Sequence, residues 1–201
     1  MLKNHSPQLL EHKAHKVNNS VIYPFCTPIW QFDLDIDFER AIKTSYEIQK
    51  NMTSSKLSNI GGYQSPNIDI KEHFFNEYFL IDGILKSLSK EVEIDLIFEN
   101  GWVNINKKND FNKPHCHPLS AISAVLYLKS KEGSGNIVFK NPTLSMHYPI
   151  NDTNKYFFGE YWLPSVAGRI YFVPSYLEHF VEPNKNDDDR ISLALNFGKK
   201  I

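Results

Sequence analysis

The sequence predicts a mainly β protein, a sandwich or barrel with helices covering one face. Two observations carry this. From Phe98 onward the chain reads as short runs rich in β-branched and aromatic residues: "WVNINKK", "AISAVLYLKS", "GNIVFKN", "KYFFGEYWL", "GRIYFVPS" and "RISLALNF". Gly, Pro, Asn and Asp turns separate them. Ahead of them lie two segments whose apolar residues recur at helical spacing. A chain of 201 residues with 14 Phe and 10 Tyr can bury one core and is short for two.

Taken in order, residues 1–20 are polar and weakly patterned, with His5, His12 and His15 among lysines, and read as a solvated tail. "VIYPFCTPIWQFDLDI" reads as extended pieces broken by Pro24 and Pro28. In "DFERAIKTSYEIQKNM", Phe38, Ile42, Tyr46 and Met52 mark a helix with Asp37 as N-cap. "SNIGGYQSP" is a turn carried by Gly61 and Gly62. "NEYFLIDGILKSLSKEVEI" is a second amphipathic helix, with Phe79, Leu80, Ile84, Leu85 and Leu88 on the inward face. The helical support is expected over about 37–92 and the β-core over about 98–198, in one domain spanning 21–201.

Composition excludes several classes of function. A formal charge of −1 gives no electrostatic reason to expect nucleic acid or an acidic membrane. Cys26 and Cys116 form neither a disulfide framework nor a zinc spacing, which suits a reducing cytoplasm. The start has no apolar signal region, and no window approaches the ~18 apolar residues of a membrane span. A cytoplasmic location is the expectation. P-loop, dinucleotide, HExxH and GxSxG patterns are absent. His73 and His147 have no partner pattern, and "NKNDDD" reads as a solvated loop.

"NKPHCHPLSAISAVLYL" carries the chemistry. In an extended segment His115 and His117 point to one side while Cys116 faces away. That geometry favours a metal edge over a reactive cysteine, although surface or core histidines fit the same pattern. A third histidine, His179 in "FVPSYLEHFVEP", makes a spacing seen in mononuclear metal sites of double-stranded β-helix folds. In "RISLALNF", Arg190, Ser192, Ala194 and Asn196 share one strand face, opposite Ile191, Leu193, Leu195 and Phe197. A guanidinium on the inward face needs a partner. Either a bound carboxylate, with help from Ser192, or an acid of the preceding loop would serve.

These motifs resemble the 2-oxoglutarate and Fe(II)-dependent oxygenases, more narrowly their prolyl-hydroxylase-like branch. "PIW", "GGYQS", "HCHPLSAISAVLYL", "SGNIVF", "GRIYFVPSYLEHFVEP" and "RISLALNF" carry the resemblance, which covers nearly everything from Val21 to Phe197. It implies a jelly-roll, cupin-like core, with ferrous iron on His115, His117 and His179. It further implies that Arg190 and Ser192 bind the far carboxylate of 2-oxoglutarate, with Tyr127 and Asn106 as further hydrogen-bonding residues. The implied reaction uses dioxygen, turns 2-oxoglutarate into succinate and carbon dioxide, and oxidises a protein side chain or small molecule, by default through hydroxylation. One departure stands out. The wider superfamily uses His-x-Asp, and His117 occupies the Asp position, so either imidazole ligates there or a carboxylate such as Glu178 or Asp110 completes the set. "SNIGGYQS" and residues 141–162 are expected walls of the substrate cleft. Two other readings compete: a cupin-like three-histidine metalloenzyme that does not use 2-oxoglutarate, and a non-catalytic β-barrel binding module.

Overall fold

The computed structural model describes residues 26–143 and 159–200. The expected tail with its three histidines, Pro24, His147 and most of the proposed cleft wall at 141–162 lie outside the described residues.

Two antiparallel sheets face each other. The larger runs in the order β1 (Trp30–Asp33), β9 (Arg169–Pro174), β6 (Ile122–Lys129), β11 (Arg190–Lys199), β4 (Leu96–Asn106) and β3 (Tyr63–Gln64). The smaller runs β2 (Asn59–Ile60), β5 (Phe111–His115), β10 (His179–Val181), β7 (Asn136–Lys140) and β8 (Glu160–Pro164). Three helices, α1 (Phe38–Asn51), α2 (Ile70–His73) and α3 (Phe75–Glu91), complete the chain order. This is the sandwich that the strand pattern predicts, in the jelly-roll form that the resemblance implies.

Strand β11 divides the interior. Its odd-numbered residues Ile191, Leu193, Leu195 and Phe197 join the core beneath the helices. Its even-numbered Arg190, Ser192 and Ala194 line a cavity between the sheets. A second apolar cluster, including Ile137, Phe139, Tyr171 and Val173, holds the sheets together around that cavity. Period-two alternation thus separates packing from chemistry within one strand.

At Gly61 and Gly62 the chain passes from β2 in the smaller sheet to β3 in the larger. Their φ angles of 66° and 54° are open to glycine, and a Cβ on Gly61 would sit 1.9 Å from Asp110 Oδ1. The expected turn is therefore a crossover between sheets. No helix among the described residues is long and apolar enough to cross a membrane.

The helices form where expected, with faces rotated. Asp37 caps α1 by accepting from the Arg40 backbone N–H at 3.0 Å. Ala41, Ser45 and Ile48 are the buried stripe of α1, while the predicted Phe38, Ile42, Tyr46 and Met52 pack at its flanks. Small residues at the centre let the helix axis approach the sheet. In α3 the buried stripe is Glu77, Ile81, Leu85 and Leu88. Phe79 and Leu80, placed inward by the sequence reading, are 49% and 42% exposed. Glu77 shares the inward face with Ile81, Leu85 and Leu88, wholly buried and ion-paired to Arg40 at 2.5 Å. Phe79 instead packs edge-on against Phe75, ring centroids 4.7 Å apart.

Removing Arg40 leaves the Glu77 carboxylate buried without its counter-ion. Breaking a buried pair costs ~3–5 kcal/mol, and the 34% exposure of the Arg40 side chain lowers that to about 2–3 kcal/mol. Urea unfolding of Arg40→Ala is expected to show that loss at unchanged m-value, with Arg40→Lys losing less.

Candidate metal centre

The smaller sheet brings the histidines together. His115 ends β5 and His179 opens β10, and the two are direct cross-strand partners. Antiparallel neighbours on one face have Cβ atoms ~5 Å apart, so the rings meet because the backbones pair. His117 lies beyond the strand end, where its N–H donates to the Ser175 carbonyl at 2.8 Å. Cys116 between them faces solvent, as the alternation predicts. Ring centroids of His115 and His179 are 4.4 Å apart, and His117 lies 5.2 and 5.3 Å from them. One nitrogen from each ring falls within 4.8 Å of the others, a group that can hold a metal ion.

The surrounding bonds aim the lone pairs. His115 Nδ1 donates to the Lys113 carbonyl at 2.7 Å, and His179 Nδ1 donates to the Leu177 carbonyl at 2.9 Å. Each bond places the ring proton on Nδ1 and leaves Nε2 free for a ligand. Burial depresses all three basicities: His115 falls below its usual range, His117 to about 4 and His179 to about 3, with the charge of His115 contributing to the last two. The rings are neutral at pH 7, the form that binds metal. His117 has two further neighbours. The Trp102 indole stacks on it at 5.6 Å with a 10° interplanar angle. Asn196 is a side-chain neighbour of it whose interaction favours the protonated ring.

No carboxylate joins the cluster among the described residues. Glu178 is ion-paired to Lys140 at 2.6 Å, and Asp110 accepts from the Lys107 N–H at 2.8 Å. The donor set is three neutral imidazoles.

A cavity of about 60 Å³ runs from these rings between the sheets. Its wall on the larger sheet is a ladder. Arg190 pairs with Asn106, Ser192 with Asn104 and Tyr127, and Ala194 with Trp102 and Val125. Arg190 is 1% exposed, and its Nη1 donates to the carbonyls of Ser134 at 2.5 Å and Glu182 at 2.9 Å. Its Nη2, the Tyr127 hydroxyl and Asn106 Nδ2 are buried with no partner among the described residues. An unmet buried donor costs ~1–3 kcal/mol, a cost that a bound anion would remove; Asn104 Oδ1, an acceptor on a residue lining the same cavity, is unmet as well. Burial also holds the Tyr127 hydroxyl protonated, above its ordinary range, and therefore a donor.

The acidic loop takes no part. Asp187 pairs with Lys108, Asp188 with Lys131 and Lys129, and Asp189 accepts from the Tyr46 hydroxyl. Among the described residues no loop acid is ion-paired to Arg190: Glu182 Oε2 accepts from the Asn136 N–H, and the carboxylates of Glu182 and Asp110 act on the guanidinium through charge alone. Gly135 lets the backbone close on the guanidinium: a Cβ there would lie 2.5 Å from the Glu182 carbonyl and 2.9 Å from Arg190 Nη1, at φ +85°.

Arg190, Ser192, Tyr127, Asn106 and the three histidines thus line one cavity. Trp102 and Asn104, on the same β4 face as Asn106, also line it and were not singled out from the sequence. The alternation of "WVNIN" could have found them, since it places a Trp and two Asn on one side.

Residues 100–196, which contain all of these site residues, match the family model described as "Putative 2OG-Fe(II) oxygenase". Among curated proteins none matches the chain by sequence. Solved structures match by fold. A Pseudomonas putida prolyl-4-hydroxylase superposes with TM-score 0.63 at 16% identity, over 86% of this chain and 93% of that one. HygX from Streptomyces hygroscopicus, solved with nickel and 2-oxoglutarate, gives 0.63 at 12% identity, over 87% and 84%. The α-ketoglutarate-dependent epimerase SnoN of nogalamycin biosynthesis gives 0.66 at 12% identity, over 85% and 77%. The chain is thus similar to the 2OG-Fe(II) oxygenases in two ways, through a family match that spans the whole site and through the jelly-roll fold that surrounds its clustered histidines.

Proposed function

We propose that this protein is a dioxygenase that holds Fe(II) on His115, His117 and His179 and hydroxylates an organic substrate while 2-oxoglutarate becomes succinate and carbon dioxide. The observation that carries the reading is the trio of unpartnered donors, Arg190 Nη2, Tyr127 OH and Asn106 Nδ2, in a cavity that also opens on three neutral imidazoles. A dicarboxylate that reaches from the rings to the guanidinium satisfies both. Ser192, on the rung between them, adds a hydroxyl to the same carboxylate. A three-histidine metalloenzyme without this cosubstrate would leave the donors unmet, which argues against it.

Bound iron and cosubstrate supply the activation of dioxygen and the oxidising power. The chain supplies position and dryness. Arg190 is locked by two carbonyls, so it meets the carboxylate without reorganising. Ile137, Phe139 and Val173 wall the cavity with apolar surface and strengthen the charge interaction by excluding water. Three neutral ligands leave the full metal charge to meet a dianion, where a carboxylate ligand would have cancelled part of it. The exposed, unbonded Cys26 and Cys116 suit a reducing cytoplasm, where we place the protein.

Anaerobic addition of 2-oxoglutarate to the Fe(II)-loaded protein is expected to give a weak visible charge-transfer band. Metal uptake without that band would favour the three-histidine enzyme that lacks this cosubstrate. Failure to take up Fe(II) or Mn(II) would favour the non-catalytic module. Arg190→Met is expected to keep metal affinity within about twofold and to weaken 2-oxoglutarate by about a hundredfold or more, the scale of losing one partner of a buried charge pair. Gly135→Ala, which presses on the guanidinium without removing it, is expected to raise the KM for 2-oxoglutarate about tenfold, measured by succinate formation.

A further inference from the structure

His117 sits where the His-x-Asp pattern has a carboxylate, and its surroundings explain why. Three side chains from adjacent strands form one rung beneath it: Asn196 on β11 is in register with Asn100 on β4 and Ser123 on β6. The Asn196 amide is held at both ends. Its Oδ1 accepts from Ser123 Oγ at 2.8 Å, and its Nδ2 donates to Asn100 Oδ1 at 3.0 Å. Ser123 Oγ also bonds Ser175 Oγ at 2.8 Å, and the Ser175 carbonyl anchors the His117 backbone. With Nδ2 donating to Asn100, the atom of the amide left to accept from His117 is its oxygen. On the next rung, Ala194 stands opposite Trp102 and leaves room for the indole to lie flat on the ring.

We propose that Trp102 and Asn196 are positioning residues that make position 117 specific for an imidazole and hostile to a carboxylate, so that the centre is built for three histidines. An imidazole can stack on the indole and donate its second N–H to the amide oxygen. A carboxylate there would meet an acceptor oxygen and the electron-rich face of Trp102, with a shorter reach toward the other two rings. The proposal rests on the three histidines binding metal.

The test is Co(II) binding to the full chain, followed by calorimetry and by the visible ligand-field bands, with apo melting temperature as the folding control. Trp102→Leu and Asn196→Ala are expected to weaken Co(II) about 10–100-fold and to shift the bands. Trp102→Phe keeps the stack and should keep both. Ser123→Ala frees the amide without touching His117 and should shift the bands in the direction of Asn196→Ala. His117→Asp, which restores the pattern of two histidines and a carboxylate, should lose at least tenfold in affinity. His117→Asp binding as tightly as wild type would overturn the proposal, as would wild-type affinity and bands in both Trp102→Leu and Asn196→Ala. Wild-type protein that takes up none of Co(II), Mn(II) or Fe(II) would remove the metal reading itself, and this proposal with it.

Discussion

Backbone pairing of β10 on β5 is the constraint on which the centre depends. It makes His179 and His115 cross-strand partners through main-chain hydrogen bonds that need no metal. The same β10 pairs on its other edge with β7, where Phe139 faces His179, so the ring has a fixed backing. Each of the two imidazoles then ties its Nδ1 to the carbonyl two residues before it. Sheet formation therefore produces the ligand geometry directly, and the cost of gathering three rings is met by folding.

Charge sets the second theme. Desolvation keeps the three imidazoles neutral, whereas the buried Arg190 keeps its charge because it cannot deprotonate under ordinary conditions. The cavity thus presents a soft, uncharged ligand set at one end and a fixed cation at the other. Two carbonyls hold Nη1, and Nη2 is left buried without a partner among the described residues. Asp187 and Asp188 are engaged by lysines and Asp189 by Tyr46, while the carboxylates of Glu182 and Asp110 support the guanidinium charge without an ion pair.

Much of this was legible in particular residues. The i, i+2 spacing of His115 and His117 around an outward Cys116 follows from strand geometry alone. So does the division of β11 into an apolar face and a face that carries Arg190 and Ser192. Asp37 was recognisable as a cap because its side chain meets its own helix three residues on. The rotation of α3 was not legible: Phe79 and Leu80 are as apolar as Ile81 and Leu85. Tertiary packing turns Ile81 and Leu85 inward, on the face that also carries Glu77 and its pair with Arg40. Trp102 escaped notice for a similar reason, since an aromatic residue in a strand signals packing until its partner is known, and the partner is an imidazole.

The sequence by itself determined the longer strands from β4 onward, the two long helices, the two faces of β11 and the residue types able to bind a metal and a carboxylate. These depend on periodicity and side-chain chemistry, which are properties of short stretches of chain. Tertiary structure decided that β10 lies between β5 and β7, that Arg190 Nη2 has no partner among the described residues, and that Trp102 stacks on His117. Those facts depend on which distant segments pair and in what register, and a one-residue slip would turn every one of these side chains to the opposite face.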